Sequence, residues 1–250
     1  MSAKTPSLEG EPTVSDFSVL PSLPEGYRAL VIGASGAIGN AFVEALRADP
    51  RCAQVIGLHR HSTPALDLVD DASVAQAAQQ LKALGPFQVI VHAAGVLHTA
   101  SGGPEKRLAQ LNTTQMSEVF RINTIGPALV LAHFVPLLCR ERAVMAFLSA
   151  KVGSIGDNRL GGWYSYRASK AGLNMLVKTA AIEVARSQPQ AVLVALHPGT
   201  VTSALSAPFN GAEIGRPAEH AVADMLRVLD GLRPEQSGGF FAYDGQALPW

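Results

Sequence analysis

Cysteines, net charge and long apolar runs are scarce in this 250-residue sequence, and each scarcity narrows its possible function. Its two cysteines, Cys52 and Cys139, belong to no Cys-x-x-Cys pair or Cys/His cluster. This isolation argues against a disulfide or a metal site and predicts buried thiols in a reducing compartment. Twenty basic and twenty acidic residues cancel, so no overall field favours nucleic acid or an anionic membrane. We therefore expect a small-molecule partner and no bound metal.

We expect neither a membrane anchor nor a secretion signal. The longest mainly apolar stretch, residues 126–138, contains His133 and two prolines and is too short to span a bilayer. The N-terminus has no basic segment followed by an apolar run. These absences predict a cytoplasmic protein that does not bind membranes.

The chain has the composition of one compact domain preceded by an extension. Hydrophobic residues make up 48% of the sequence and charged residues 16%, which is enough to bury a sizeable core. Residues 1–26 contain four prolines among polar residues and lack periodicity, so they predict a flexible or surface-draped extension. Residues 27–250 show no internal repeat and no second composition, which predicts a single domain.

Short apolar runs alternate with segments of helical periodicity from residue 28 onward. Predicted strands cover residues 28–33, 54–58, 87–92, 144–149, 191–197 and 240–243, and predicted helices cover residues 37–48, 72–84, 114–139, 164–187 and 217–229. Each crossover between parallel strands lays a helix on the sheet. The order therefore predicts an α/β fold with a Rossmann-like, doubly wound parallel sheet.

A glycine-rich loop lies where the first predicted strand becomes a helix, in the sequence Gly33-Ala-Ser-Gly-Ala-Ile-Gly39. A dinucleotide pyrophosphate binds at such junctions, because backbone N–H groups at a helix N-terminus face it and small residues allow close approach. The alternative is a turn with a packing glycine, but the position after the first strand favours a nucleotide. The residues predicted to contact it are Gly33, Ser35, Gly36, Ile38 and Gly39.

The end of the second predicted strand indicates which nicotinamide cofactor binds. NAD-binding sheets usually have an acidic residue there, whereas this strand runs into His59-Arg-His-Ser62. A cationic Arg60 and the hydroxyl of Ser62 suit a 2′-phosphate. The sequence thus predicts NADP over NAD, although Arg60 as a solvated loop residue is the simpler alternative.

A phenol and an amine, Tyr166 and Lys170, stand four residues apart and so share one face of a predicted helix. Neither group alone is a good acid–base catalyst at neutral pH, since their ordinary pKa values are about 10 and 10.4. A nearby ammonium is expected to lower the tyrosine pKa and bring it towards the operating pH. A chance pairing is the alternative for any isolated Tyr-x-x-x-Lys.

With these motifs, residues 27–250 resemble the short-chain dehydrogenase/reductase family. Residues 164–174 are similar to its active-site helix, residues 92–95 (His-Ala-Ala-Gly) to its Asn-Asn-Ala-Gly strand end, and residues 197–203 to its Pro-Gly loop. The resemblance implies an active-site Asn123, an Asp67 that touches the adenine, and cofactor contacts from Ala93, Ala94, Gly95, Pro198, Gly199, Val201 and Ser203. The loop at residues 153–158 and the C-terminus most resemble the C-factor-like branch.

The family resemblance implies hydride transfer between NADP(H) and a small carbonyl or alcohol. Tyr166 then acts as general acid or base, Lys170 contacts the nicotinamide ribose, and Asn123 organises the proton relay. It also implies a homodimer or homotetramer formed through the helices at residues 114–139 and 164–187. The alternative is a catalytically slow NADP(H)-binding sensor or signalling protein on the same scaffold.

The sequence departs from the family pattern at three positions. The glycine spacing is that of extended members, but only residues 200–250 follow the Pro-Gly loop, too few for their additional substrate region. The catalytic serine position reads Ser149-Ala150, so the hydroxyl comes from Ser149, which we favour, or from Ser154, or the role is unfilled. His92 replaces an asparagine and is expected to be a buried, hydrogen-bonded imidazole rather than a catalyst.

The substrate pocket is expected to be walled by Trp163 and by the segments at residues 154–162 and 203–215. Their mixed composition fits many small carbonyl compounds and does not single one out. For Trp163, a packing role is the alternative.

Overall fold

The computed structural model describes residues 18–209 and 211–250, which form one sheet with helices on both faces. The six strands are β1 (Tyr27–Ile32), β2 (Cys52–Leu58), β3 (Val89–His92), β4 (Ala143–Leu148), β5 (Ala191–His197) and β6 (Phe240–Ala242). The helices are α1 (Ala37–Arg47), α2 (Asp71–Leu81), α3 (Thr113–Phe120), α4 (Gly126–Phe134), α5 (Tyr164–Val184), α6 (Gly211–Ile214) and α7 (Ala218–Gly231).

The strands are all parallel and lie in the order β2-β1-β3-β4-β5-β6. The chain moves outward from β1 to β2, then crosses back over β1 and continues in the opposite direction from β3. This reversal opens a crevice at the carboxyl ends of β1 and β3, which is where sheets of this type bind ligands. The Rossmann-like, doubly wound fold predicted from the alternation of elements is confirmed.

The two faces of the sheet form two separate apolar layers. Ala29 and Val31 of β1 point into the layer made with α1 and α7, whereas Leu30 and Ile32 point into the layer made with α2, α4 and α5. In the centre of the sheet every residue of β4 is buried. Central strands are therefore apolar along their whole length, which explains why they appear in the sequence as continuous apolar runs.

The long helix predicted at residues 114–139, with a bend at Pro127 and an end at Pro136, is interrupted in the structure. A π-helical turn, Arg121–Ile125, separates α3 from α4, and Pro136 lies in the tight turn that ends the run. By length and composition the whole run, Thr113–Leu137, is apolar enough to cross a membrane. In this fold it covers the sheet and buries Val130 and Phe134 in the layer shared with α2 and α5.

Part of the predicted N-terminal extension packs on the domain. Leu20 and Leu23 are buried in the layer formed by α1 and α7. Asp49, just after α1, is 3% exposed, and its Oδ2 accepts hydrogen bonds from Ser18 Oγ (2.8 Å), Val19 N (2.9 Å) and Tyr27 Oη (2.9 Å). The segment from residue 18 is thus fixed to the domain. Residues 1–17 lie outside the described residues.

Replacing Asp49 should destabilise the fold through these contacts. Burial opposes ionisation, but hydrogen bonds from the Arg51 backbone and from Ser18 and Tyr27 outweigh it and hold the Asp49 pKa below its ordinary value. We expect Asp49→Asn to lower the free energy of unfolding by about 1–3 kcal/mol at neutral pH. The new side-chain NH₂ group cannot accept the hydrogen bonds that the carboxylate accepts. Urea unfolding should show this loss.

Two comparisons test that explanation. The surface variant Asp71→Asn, which loses only an exposed ion pair with Arg121, should change stability by less than about 1 kcal/mol. A lowered carboxyl pKa adds stability above the ordinary carboxyl pKa, and this stability is lost as the pH falls through the folded-state value. The gap between wild type and Asp49→Asn should therefore shrink on acidification. A gap that is constant with pH would contradict a role for the Asp49 charge.

Candidate active site

The glycine loop after β1 has no room for side chains at its two outer glycines. Gly33 has φ +87°, and a Cβ there would lie 2.6 Å from Ala94 N. A Cβ on Gly39 would overlap the Gly33 carbonyl oxygen. At Gly36, in contrast, the nearest atom to an added Cβ would be 3.5 Å away. Gly33 and Gly39 thus allow the loop to pack closely against α1 and the end of β3. Gly36 has space around it that the protein does not fill.

Helix α1 begins at this loop, and no side chain at its N-cap bonds the backbone N–H groups of its first turn. Its N-cap, Gly36, makes no side-chain cap bond, and the first turn has no acidic residue. The first N–H groups of a helix have no intrahelical partners and attract anions. Ser35 is exposed and Ile38 is half-buried beside them. The residues present therefore fit a pyrophosphate, as the sequence predicts.

The end of β2 presents Arg60, whose side chain is exposed. Ser62 differs from its predicted role, because its Oγ accepts from His59 N (2.9 Å) and lies 2.6 Å from the acceptor Pro64 O. This hydroxyl closes the turn and is not free to bind a phosphate. Asp67 is half-buried, and its Oδ1 accepts a hydrogen bond from Val69 N at 3.1 Å.

Asn123 is completely buried and connects the loop after β3 to α5. Its Oδ1 accepts from Val96 N (2.8 Å), and its Nδ2 donates to Val96 O (2.8 Å) and Ser169 Oγ (3.1 Å). The π-helical turn provides this inward position. A Cβ on Gly95 would lie 3.3 Å from both Asn123 Oδ1 and Lys170 Nζ, so glycine permits a close approach. The structure thus brings Asn123 and Lys170 together, as predicted.

Tyr166 and Lys170 are buried, with 8% and 4% of their surfaces exposed. Lys170 Nζ lies 5.9 Å from the centroid of the Tyr166 ring. The same amine donates a 2.9 Å hydrogen bond to Leu148 O, at the carboxyl end of β4. The amine is therefore held between α5 and the sheet, and it retains further N–H donors for other partners.

Burial shifts the pKa values of both groups in the direction that favours their neutral forms. It raises the pKa of Tyr166 above its ordinary value and lowers that of Lys170 to about 8. The expected lowering of the Tyr166 pKa by Lys170 is therefore wrong for the protein itself, because the loss of solvent outweighs the neighbouring charge. At neutral pH the site contains a neutral phenol, able to donate a proton, beside an amine that is mostly protonated.

The two candidate serines have different surroundings. Ser149 Oγ donates a 2.6 Å hydrogen bond to Asn174 Oδ1, and Asn174 lies eight residues beyond Tyr166, about 12 Å along α5. Ser154 is 2% exposed, and its Oγ accepts from Asp157 N at 3.0 Å. Its neighbour Gly153 packs against Lys170, since an added Cβ would lie 2.7 Å from Lys170 Cβ. This geometry favours Ser154 over Ser149.

His92 is buried as predicted but is not hydrogen-bonded. Its ring stacks on Phe147 with centroids 5.4 Å apart, and within residues 18–209 and 211–250 neither ring nitrogen has a partner. The expectation of a hydrogen-bonded imidazole is therefore wrong. Burial lowers the pKa of His92 to about 3, with a smaller contribution from Lys170, so the ring is neutral. An apolar packing role fits these observations.

The Pro-Gly loop follows β5 and borders the same crevice. Gly199 has φ +76°, and a Cβ there would lie 2.9 Å from the Tyr243 ring. Beyond Pro198 and Gly199, Val201 is buried, while Ser203 Oγ lies 3.3 Å from Ser206 Oγ. Among the described residues, no group of three or more His, Cys, Asp or Glu side chains is arranged to bind a metal ion.

One polar residue of the site was missed by the sequence analysis. Glu105 is 2% exposed, and its carboxylate accepts hydrogen bonds from Ser165 N (3.1 Å) and Ser165 Oγ, beside Tyr166. The two residues are sixty positions apart, so no spacing rule indicates this contact.

Comparisons with known sequences all indicate the same family. Residues 27–213 match the short chain dehydrogenase family. The chain is 38% identical to the C-signal protein of Myxococcus xanthus over 169 residues, which is 66% of this chain and 94% of that protein. It is 34% identical over 188 residues to 1-hydroxy-2-glutathionyl-2-methyl-3-butene dehydrogenase of a Rhodococcus species, covering 75% of this chain and 79% of that enzyme.

Solved structures agree with this relationship. The NADPH-bound carbonyl reductase from chicken fatty liver has a TM-score of 0.77 at 25% identity, covering 91% of this chain and 96% of that one. Carbonyl reductase Sniffer of D. melanogaster shows the same fold, with a TM-score of 0.77 at 21% identity over 90% of this chain and 99% of that one. This chain therefore belongs to the short-chain dehydrogenase/reductase family of oxidoreductases, in its C-factor-like branch.

Proposed function

We propose that this protein transfers a hydride between NADP(H) and a small carbonyl or alcohol substrate. The observation that supports this most strongly is the buried Tyr166–Lys170 pair at the carboxyl edge of the sheet. Asn123 lies beside the amine, and the glycine loop opens onto the same crevice. A proton donor next to a nucleotide cleft is what the reduction of a carbonyl requires.

The proposed cofactor site combines five segments of the chain. The N-terminus of α1 would hold the pyrophosphate, and Arg60 the 2′-phosphate. Lys170 would contact the nicotinamide ribose. The nicotinamide, when bound, supplies or takes up the hydride. The other residues proposed to contact the cofactor are Asp67, Ala93, Ala94, Gly95, Pro198, Gly199, Val201 and Ser203.

Tyr166 is the proton donor in this proposal. During reduction, the carbonyl carbon gains a hydride, and the phenol O–H bond breaks as its proton moves to the carbonyl oxygen. The resulting phenolate is stabilised by the ammonium of Lys170 and regains a proton from solvent through the relay that Asn123 organises. In the oxidation direction the phenolate accepts the alcohol proton. The neutral phenol that burial favours is the form of Tyr166 that the reduction uses, whereas the oxidation needs the phenolate.

A hydroxyl is needed to orient the carbonyl oxygen while negative charge develops on it. We assign this role to Ser154, because its Oγ accepts a hydrogen bond from Asp157 N and retains its own proton for donation. Ser149 is a weaker candidate, since its hydroxyl proton is used by Asn174.

Two further properties belong to this proposal. Exposed apolar side chains on α5, including Met175 and Ile182, support a homodimer or homotetramer formed through this helix and α3–α4. We also propose a cytoplasmic location, a reducing compartment in which Cys52 and Cys139, both half-buried, would stay free thiols. The second candidate function is an NADP(H)-binding signalling protein that turns over slowly, and the similarity to the C-signal protein is the one observation on its side. The intact Tyr166–Lys170–Asn123 set favours the enzyme.

Tyr166→Phe should abolish turnover and preserve cofactor binding. Loss of the phenol proton is expected to lower kcat by at least about 100-fold, the contribution of a positioned general acid. NADPH oxidation against a panel of aldehydes and ketones measures turnover, and nucleotide fluorescence titration measures binding. A variant as active as wild type would overturn the mechanism. A wild type that binds NADPH and reduces nothing would favour the signalling protein.

Arg60→Ala should weaken NADPH binding without affecting NADH. A lost charge-assisted contact is worth about 1.5–3 kcal/mol, so we expect the Kd for NADPH to rise roughly 10- to 100-fold. Calorimetric titration with both nucleotides gives the two Kd values. Arg47→Ala, which removes an exposed arginine of α1, serves as the control and should alter neither. Equal weakening for both nucleotides would argue against 2′-phosphate recognition.

Ser154→Ala and Ser149→Ala distinguish the two serines. Removing the donor that faces developing charge typically lowers kcat by about 10²–10³-fold, which we expect only for Ser154→Ala. Ser149→Ala should retain kcat within about tenfold and lower stability by about 1 kcal/mol, because it loses a buried hydrogen bond to Asn174. Steady-state kinetics and urea unfolding test both variants, and the reverse pattern would assign the role to Ser149.

A further inference from the structure

The turn before α5 has an unusual backbone. Three successive residues have left-handed conformations: Gly161 (φ +62°), Gly162 (φ +64°) and Trp163 (φ +53°). For the two glycines this conformation has little cost. Trp163 has a Cβ and is strained there by about 1–3 kcal/mol, which neighbouring contacts must offset. Trp163 is also the N-cap of α5, and its side chain provides no cap hydrogen bond.

Glu105 supplies the helix-capping contacts at the start of α5. Its backbone oxygen accepts a hydrogen bond from Trp163 N, and its carboxylate accepts from the backbone N–H and the hydroxyl of Ser165. The side chain is almost completely buried. A carboxylate at this place satisfies free donors of the first turn and sits at the positive end of the helix dipole. Glu105 therefore caps α5 from a distant part of the chain.

Arg167 fixes the same turn from the other side. Its guanidinium donates to Gly161 O (3.2 Å), Gly162 O (3.0 Å) and Val152 O (3.1 Å). The turn is thus bound to α5 itself and to the segment that leads to Ser154. Contacts from two directions determine its conformation, as a strained backbone requires.

The strain has a consequence at the proton donor. The Trp163 and Tyr166 rings meet edge to face, with centroids 6.2 Å apart and planes at 72°. A relaxed Trp163 backbone would move the indole away from this contact. The residue between them, Ser165, is the one that the Glu105 carboxylate holds. Glu105, Trp163 and Tyr166 thus form one connected unit.

We propose that Glu105 is a positioning residue, whose buried carboxylate holds the first turn of α5 and the left-handed Trp163 so that Tyr166 stays aligned for proton transfer. This role rests on the proposed function, in which Tyr166 donates the proton. A misplacement of about 1 Å at a catalytic group can cost about 100-fold in rate. Glu105 needs no contact with substrate or nucleotide to have such an effect.

The test uses Trp163 as a spectroscopic reporter. The chain contains two tryptophans, Trp163 and Trp250, so a Trp250→Phe background reports Trp163 alone. Phenylalanine keeps the aromatic stack of residue 250 on Phe240. In this background, Glu105→Ala and Glu105→Gln are compared for tryptophan emission, near-ultraviolet circular dichroism, NADPH binding and carbonyl reduction.

We expect Glu105→Ala to shift the Trp163 emission and to lower kcat by about 100-fold, while the Kd for NADPH changes by less than about threefold. Glu105→Gln keeps one acceptor oxygen, so its Trp163 emission and its kcat should lie between those of Glu105→Ala and wild type. If Glu105→Ala does not fold, Ser165→Ala removes one of the carboxylate contacts and should show a smaller change in the same direction.

Glu118→Gln is the matched control. Glu118 on α3 also binds the loop before α3, through Ser101 Oγ (2.7 Å), but does not cap α5. It should leave both the Trp163 emission and kcat unchanged. Unchanged emission in folded Glu105→Ala, or shifted emission with wild-type kcat, would overturn the positioning role. If wild type reduces no carbonyl, the proposed function fails, and a shift in Trp163 emission would still establish the contact between Glu105 and the turn.

Discussion

The hydrogen bond from Lys170 to the carbonyl of Leu148 joins the catalytic helix to the centre of the sheet, and much of the site is arranged around it. The lysine side chain passes through a space that Gly95 and Gly153 leave open, since a Cβ at either residue would crowd it. The π-helical turn before α4 adds Asn123 on the same side. Removing a lysine from water is costly, so a buried amine at this depth needs these partners to be in place before any ligand arrives.

The same burial determines the proton chemistry. Loss of solvent favours the neutral form of both Tyr166 and Lys170, and the phenol keeps its proton while the amine remains mostly charged near neutral pH. In the proposed reduction Tyr166 gives up a proton, so a resting neutral phenol suits that direction. This preference comes from desolvation in the folded protein, and the Tyr-x-x-x-Lys spacing does not indicate it.

The sequence predicts features that depend on neighbouring residues, such as strands and helix faces. It does not predict contacts between residues that are distant in the chain. Both faces of β4 are covered, so its apolar run identified it as a strand, and the spacing of Tyr166 and Lys170 placed them on one helix face. Pro127 and Pro136 predict the bend and the end of the helix at residues 114–139, but they do not show that the break before α4 is a π-helical turn that carries Asn123. The hydroxyl of Ser149 binds Asn174, a partner that only the folded chain brings within reach, whereas the hydroxyl of Ser62 is used within its own turn by His59 and Pro64. The contact between Glu105 and Ser165 depends on tertiary structure in the same way.

Helix α1 is engaged at both of its ends. The glycine loop lies at its beginning, and Asp49, just beyond its end, holds the backbone of Val19. Its eleven residues separate these two points by about 16 Å. A fluorophore or surface linker attached at Arg47, an exposed residue in the last turn of α1, would therefore lie at the opposite rim of the domain from the glycine loop. Immobilisation through that end of α1 would leave the glycine loop facing the solution.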